Sequence, residues 1–271
     1  MTPQLSRRLV LAAPALLLAG RARAVMLNEA ALTQGGFVVG RAAPGTRLAL
    51  DGRAVRVSPA GDFAFGFGRD HAAQARLAIT APAGAAETRV LNIAKRQWPT
   101  ESISGLPPAQ VTPAAETLTR IAREREKLGA IRALESGLTG FAEGFVRPAP
   151  GRISGVFGSQ RILNGQPRQP HYGLDFAAPT GTPVVSCAAG RVTLADEFHF
   201  FGKLIVVDHG HGVNSLYAHL SEIAAREGEN ITKGQRIGAI GMTGRVTGPH
   251  LHFSLSWFQQ WLDPQPVVLP S

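Results

Sequence analysis

From Gly151 onward, glycine turns recur along the chain and no helix of normal length is evident. Asn164-Gly165, Pro179-Thr180-Gly181, Gly210-His211-Gly212, Lys233-Gly234 and Thr243-Gly244 cut the chain at short intervals. Glycine and asparagine tolerate the positive φ that such turns use. Between the cuts lie apolar, β-branched runs at 183–187, 203–208, 213–219, 236–241 and 250–255. Runs of this length, bounded by turn signals, read as strands. The sequence therefore predicts an all-β domain of many hairpins over 150–265, with a short tail at 266–271.

Residues 25–97 follow the same grammar. Asp51-Gly52 separates two short runs and is the residue pair that type I′ hairpin turns favour. Phe63, Phe65 and Phe67 alternate with small residues, which places the three rings on one face of a strand. A second glycine-containing turn separates 76–80 from 88–94. The expectation is a small β-sandwich of about seventy residues. Nothing in it looks catalytic, and a structural or spacing role is favoured over a wall- or partner-binding module.

Residues 98–149 read as a linker punctuated by Pro99, Pro107, Pro108 and Pro113. Thr112-Pro113 has the form of an N-cap followed by proline at the first helical position. Leu118, Ile121, Leu128 and Ile131 share one helical face, which predicts an amphipathic helix over 113–136. The surrounding Arg120, Arg123, Glu124 and Lys127 read as a solvated face.

The first 24 residues differ from the rest. Arg7 and Arg8 precede an apolar stretch from Leu9 to Ala19, and Ala22-Arg23-Ala24 offers an A-x-A cleavage site. That is the pattern of a signal peptide, with an apolar stretch too short for a comfortable membrane span. Export to the periplasm or cell envelope is expected, with no membrane insertion after cleavage. The general secretion route is slightly preferred over the twin-arginine route. Loss of Arg7, Arg8, Arg21 and Arg23 lowers the formal charge from +9 to +5. The remaining basic residues are scattered and carry no nucleic-acid motif. Cys187 is the single cysteine, which excludes an intramolecular disulfide; its apolar neighbours suggest a small core residue.

Seven of the eight histidines lie between positions 171 and 252. Three groups concentrate them: His171-x-x-x-Asp175, Tyr217-Ala218-His219-Leu220 and Gly248-Pro249-His250-Leu251-His252-Phe253. On a strand His250 and His252 project from one face. His171 and Asp175 share parity if their segment is extended. Two imidazoles and a carboxylate suit zinc and leave a fourth position open, as a catalytic site requires.

Together, these motifs resemble the lysostaphin-type (LytM-like) zinc metalloendopeptidases, a family of peptidoglycan hydrolases. The resemblance runs from Ser154-Gly155-Val156-Phe157-Gly158 to Leu262-Asp263-Pro264. It includes Gly181-Thr182-Pro183-Val184, Val207-Asp208-His209-Gly210 and Lys233-Gly234-Gln235-Arg236-Ile237-Gly238. It implies one Zn²⁺ held by His171, Asp175 and His252. It also implies His219 and His250 as the non-ligand catalytic histidines, one taking a proton from water and the other hydrogen-bonding the water or the oxyanion. The implied substrate is the peptide cross-link of peptidoglycan, with a D-Ala to meso-diaminopimelate bond expected ahead of a glycine bridge. An envelope protein regulator is a possible partner. The alternative is a catalytically silent relative that activates or scaffolds another wall hydrolase. A latent form, with the helix or residues 141–150 folded over the groove, would also fit this layout.

Other residues receive weaker expectations. His209 belongs to a structural turn, while His199 and His211 are expected in exposed loops. Phe198, Phe200 and Phe201 could wall a groove, although packing is the simpler reading. Asn164-Gly165 reads as a plain turn. Ser254 stands where many relatives have glutamate, and Cys187 where many have alanine; neither is expected to touch the ligands.

Overall fold

The computed structural model describes residues 25–105 and 112–269, so the signal-peptide reading of 1–24, Pro107 and Pro108 lie outside the described residues. The first seven strands are β1 (Val25–Leu27), β2 (Phe37–Ala42), β3 (Arg47–Leu50), β4 (Arg53–Val55), β5 (Asp62–Gly66), β6 (Gln74–Thr80) and β7 (Ala86–Asn92). They form a three-stranded sheet, β1-β2-β5, and a four-stranded sheet, β4-β3-β6-β7. Asp51 and Gly52 join β3 to β4 with φ of 46° and 84°, the two positive values a type I′ turn demands. Phe63, Phe65 and Phe67 are fully buried, and neighbouring rings lie 6.0 and 5.7 Å apart.

The next strand, β8 (Thr100–Ile103), precedes helix α1 (Ala115–Arg132). The helix is shorter than the expected 113–136. Its N-cap is Ala114, which makes no side-chain hydrogen bond, so Thr112-Pro113 lies just outside the helix instead of capping it. Leu128 packs inward with Ile131 beside it, Ile121 is partly buried and Leu118 is exposed. The charged flank is not simply solvated. Lys127 pairs with Asp196 at 2.8 Å, Arg120 donates to Glu197 O, and Glu124 accepts from the His199 backbone N–H.

The remaining strands are β9 (Arg152–Gly155), β10 (Gln160–Leu163), β11 (Gln166–Pro167), β12 (Leu174–Ala177), β13 (Pro183–Val185), β14 (Gly190–Phe198), β15 (Gly202–Gly210), β16 (Val213–Ile223), β17 (Asn230–Ile231), β18 (Arg236–Ile240), β19 (His250–Trp257) and β20 (Gln260–Leu262). A four-residue turn of helix, α2 (Gln265–Val268), follows. The main path of the large sheet is β17-β14-β15-β16-β19-β12-β9, with β13 and β18 attached beside β16 and β20 beside β19. β8 pairs in parallel with β10, so the linker contributes a strand beside the site. The protein is mostly β, as its sequence predicts. No helix among the described residues is long and apolar enough to cross a membrane.

The two β-rich parts share a core. Phe63, Phe65 and Phe67 belong to the same buried cluster as Val213, Leu255, Trp257 and Leu262. Gly66 shows why β5 can approach β20 so closely: a Cβ there would lie 2.5 Å from both Leu262 methyl carbons. Fully burying a leucine or phenylalanine contributes roughly 1.5–3 kcal/mol, so this junction is a strong one. Polar contacts reinforce it. Arg96 pairs with Asp263 at 2.7 Å, and Arg69 Nε donates to Gly158 O at 2.7 Å. Trp98 packs edge-on against Phe157.

Candidate metal centre and active-site groove

β12 and β19 run antiparallel with Asp175 directly opposite His252. Strand alternation puts His250 on the same face. Asp175 Oδ1 lies 2.9 Å from His252 Nδ1 and 3.0 Å from His171 Nε2, and those two nitrogens are 2.9 Å apart. A tetrahedral ion with bonds of roughly 2.0–2.1 Å holds its ligands about 3.3 Å apart. The triangle needs only slight expansion to surround one zinc-sized ion.

His171 does not sit on an extended segment shared with Asp175. It enters from a loop that ends where β12 begins, at Leu174. The 156–159 segment grips that loop. His171 N–H donates to Ser159 O, Gly158 N–H donates to His171 O, and His171 Nδ1–H donates to Val156 O at 3.1 Å. Two glycines make room for the cluster. A Cβ on Gly173 would lie 2.5 Å from His252 Cε1, and one on Gly155 would lie 2.4 Å from Asp175 Oδ2.

The hydrogen bonds fix the His171 tautomer and supply a partner for the one His252 needs. His171 spends its Nδ1–H on Val156 O, leaving the Nε2 lone pair aimed at the shared point. His252 Nε2 lies 2.9 Å from Ser254 Oγ, which accepts from it in the tautomer whose Nδ1 lone pair faces the same point. Burial alone would raise the Asp175 pKa, but the His171 and His252 imidazoles hold its carboxyl well below the usual range. Burial pushes His252 down to about 4 despite its bond to Asp175. A carboxylate and neutral imidazoles are the forms a divalent metal binds.

His219 stands beside the triangle at φ 62°, a conformation that non-glycine residues seldom adopt. It lies where β16 changes partners, with Ala218 paired to His252 of β19 and Leu220 paired to Ile240 of β18. The His219 backbone N–H donates to Phe201 O, and its Nδ1–H donates to Thr243 O at 2.8 Å. Burial, followed by the neighbouring His252 and His250, pushes its pKa well down, so the ring is neutral with a free Nε2 lone pair. His250 donates from Nδ1 to Gly248 O, and its Nε2 is 4.0 Å from Asp175 Oδ1. The His219 and His250 rings are 4.8 Å apart. The structure thus gathers all five residues singled out in the sequence.

His171, His219 and His252 face a groove of about 660 Å³. Helix α1 forms part of its wall through Ile121, Leu128 and Arg132, while 141–150 lies elsewhere, with Val146 N–H donating to Cys187 O. Phe198, Phe200 and Phe201 line the groove, so they do more than pack. Asn164-Gly165 is a turn, with φ of 47° and 79°. His209 is buried away from the ligands between Ala189 O and Ser215 Oγ.

Three expectations need correction. His211 is buried, because Phe141 covers its ring and Ser136 O accepts its backbone N–H. His199 is half-buried, held by Glu124 and packed edge-on against Phe200. Ser254 does touch a ligand, through His252 Nε2. Sequence reasoning also missed Arg161, whose Nη2 is 3.4 Å from Asp175 Oδ2. Its position on β10 belongs to no recognisable motif.

His171, Asp175 and His252 bring three candidate ligand atoms within 4.8 Å of one another, with His219 and His250 beside them; two imidazoles and a carboxylate are a donor set that suits zinc. Residues 169–264 match peptidase family M23. This part of the chain, with its LytM-like fold, belongs to that family. Over 105 residues it is 44% identical to peptidoglycan DD-endopeptidase ShyA of Vibrio cholerae, covering 38% of this chain and 24% of that protein. Over 120 residues it is 41% identical to DD-carboxypeptidase/endopeptidase Mpg of Neisseria meningitidis, covering 44% and 28%. The chain thus matches about a quarter of the length of these curated relatives. A crystal structure of a candidate M23 peptidase from Pseudomonas aeruginosa superposes with a TM-score of 0.69 at 28% identity, covering 87% of this chain and 94% of that one.

Proposed function

We propose that this protein is an exported zinc endopeptidase that hydrolyses the peptide cross-links of bacterial peptidoglycan. The observation that carries the reading is the 2.9–3.0 Å triangle of His171, Asp175 and His252, flanked by His219 and His250. The sequence likeness to ShyA and Mpg supports peptidoglycan as the substrate.

His171, Asp175 and His252 would hold one zinc ion. When bound, zinc supplies Lewis acidity, polarising a carbonyl and making hydroxide available near neutral pH. The chain's own residues do the rest. His219, kept neutral by burial and oriented by Thr243 O, presents Nε2 to accept a proton from the attacking water and return it to the leaving amine. His250, whose Nδ1–H is held by Gly248 O, presents the Nε2 lone pair and accepts a hydrogen bond from the water; it would donate to a developing oxyanion only as the imidazolium. The Phe198–Phe201 wall and helix α1 confine the peptide and limit bulk water.

Groups aimed at developing charge are worth roughly 10²–10³ in rate each. His219→Ala and His250→Ala should each lower turnover by about that factor while keeping the metal. His252→Ala should lose the metal. Metal analysis and hydrolysis of cross-linked peptides by each purified variant test the assignment. Full activity in either non-ligand variant overturns it.

A further inference from the structure

The Asp175 oxygen that meets the two ligand imidazoles is Oδ1, 2.9 Å from His252 Nδ1 and 3.0 Å from His171 Nε2. Its other oxygen, Oδ2, faces Arg161 Nη2 at 3.4 Å. Gly155 leaves room for this orientation, since a Cβ there would lie 2.4 Å from Oδ2. A second carboxylate approaches Arg161 on its other edge. Arg161 Nε lies 3.6 Å from Glu101 Oε2, and both atoms are buried with no hydrogen-bond partner. Strand pairing explains the encounter. β8 runs parallel to β10 with Glu101 paired to Arg161, so the two side chains leave the same face.

We infer that Arg161 and Glu101 are positioning residues of the metal centre: Arg161 holds Asp175 Oδ2 so that Oδ1 alone faces the ion, and Glu101 holds and neutralises Arg161. An unrestrained carboxylate can rotate to give a metal both oxygens, which fills the position that a catalytic site keeps open. Arg161 opposes that rotation by engaging Oδ2, as outer partners do when they orient metal ligands. Its positive charge beside the ligands would by itself repel a divalent cation. Glu101 offsets that charge, and the planar guanidinium lets one side chain face both carboxylates from separate nitrogens. The linker strand β8 thereby becomes part of the centre, although no ligand lies on it. The inference rests on the metal-site reading, which metal binding by the wild-type chain tests separately.

The test measures metal binding by the full chain, with no substrate and no turnover. Zinc affinity is obtained by competition with a chromophoric chelator for the wild type, Glu101→Gln, Arg161→Met and the double variant, and circular dichroism verifies each fold. Glu101→Gln should weaken zinc binding about tenfold, because it leaves Arg161 uncompensated. The same change in the Arg161→Met background should have little effect, because Glu101 acts through Arg161. Cobalt(II) in place of zinc reads the coordination itself. Arg161→Met should lower its visible absorption intensity, as Asp175 gains a second bond and a four-coordinate ion becomes five-coordinate. Unchanged affinity in Glu101→Gln overturns the inference. So does an equal loss with and without Arg161, or a cobalt spectrum that Arg161→Met leaves as in the wild type. A wild-type chain that binds neither metal refutes the metal-site reading, and the inference with it.

Discussion

Replacing Ser254 with alanine should weaken zinc binding while leaving the fold intact. The Ser254 hydroxyl is buried 2.9 Å from His252 Nε2 and, with zinc on Nδ1, would accept the Nε2–H. That bond would favour the tautomer with the proton on Nε2, whose Nδ1 lone pair faces Asp175 and His171. Alanine removes the acceptor, leaving a buried N–H without its partner and the ring free to change tautomer or swing. Loss of such an outer partner typically costs ten- to a hundredfold in metal affinity, or about 1.4–2.7 kcal/mol. Competition against a chromophoric zinc chelator measures the affinity, and circular dichroism verifies the fold. Ser254→Thr, which retains a hydroxyl, should recover most of the loss. Unchanged affinity in Ser254→Ala would refute the reasoning, because His252 would then be oriented by its metal-side contacts alone.

Other outcomes follow from the same geometry. Gly173→Ala should lower zinc occupancy sharply, since the new methyl would strike the His252 ring; metal analysis of the purified variant checks this. Trp98→Ala should weaken zinc binding severalfold by loosening Phe157 and Gly158 in the loop that grips His171, as read by the same chelator competition. Stability should fall as pH drops from about 6.5 towards 4, because buried His209 titrates at about 4 when folded and about 6.5 when unfolded. The unfolded chain binds the proton first in that window, so acid favours unfolding. At 1.36 kcal/mol per pKa unit the contribution is about 3 kcal/mol, and urea denaturation of His209→Gln should show a correspondingly flatter pH profile.

Strand parity made much of the site legible in the sequence. His250 and His252 share a face because they are two apart on a strand, and Asp175 joins them because β12 pairs with β19 in that register. The Asp51-Gly52 hairpin was equally readable, because few residue pairs accept two successive positive φ values. What could not be read depends on contacts distant in sequence. His219 reaches the site only because β16 changes partners there. Ser254 looks like an ordinary strand serine until its distance to His252 is known. Glu101 and Arg161 follow no spacing rule, because β8, β10 and β12 meet only in the folded chain. The shared core was hidden for the same reason: the alternating phenylalanines show one buried face of β5, while Gly66 reveals the other only against Leu262. That core also affects how latency is tested. Removing 25–145 would uncover Leu255, Trp257 and Leu262, so point changes on α1 are the cleaner perturbation.

The central claim is tested most directly by incubating purified sacculi with the protein in zinc-loaded, chelated and zinc-restored forms, and identifying released products by mass spectrometry. The account predicts one zinc per chain and release of peptides cut at the cross-link, abolished by the chelator and restored by zinc. Cleavage that persists unchanged in the metal-free protein, or a fully zinc-loaded protein that leaves both sacculi and soluble cross-linked peptides intact, would contradict it.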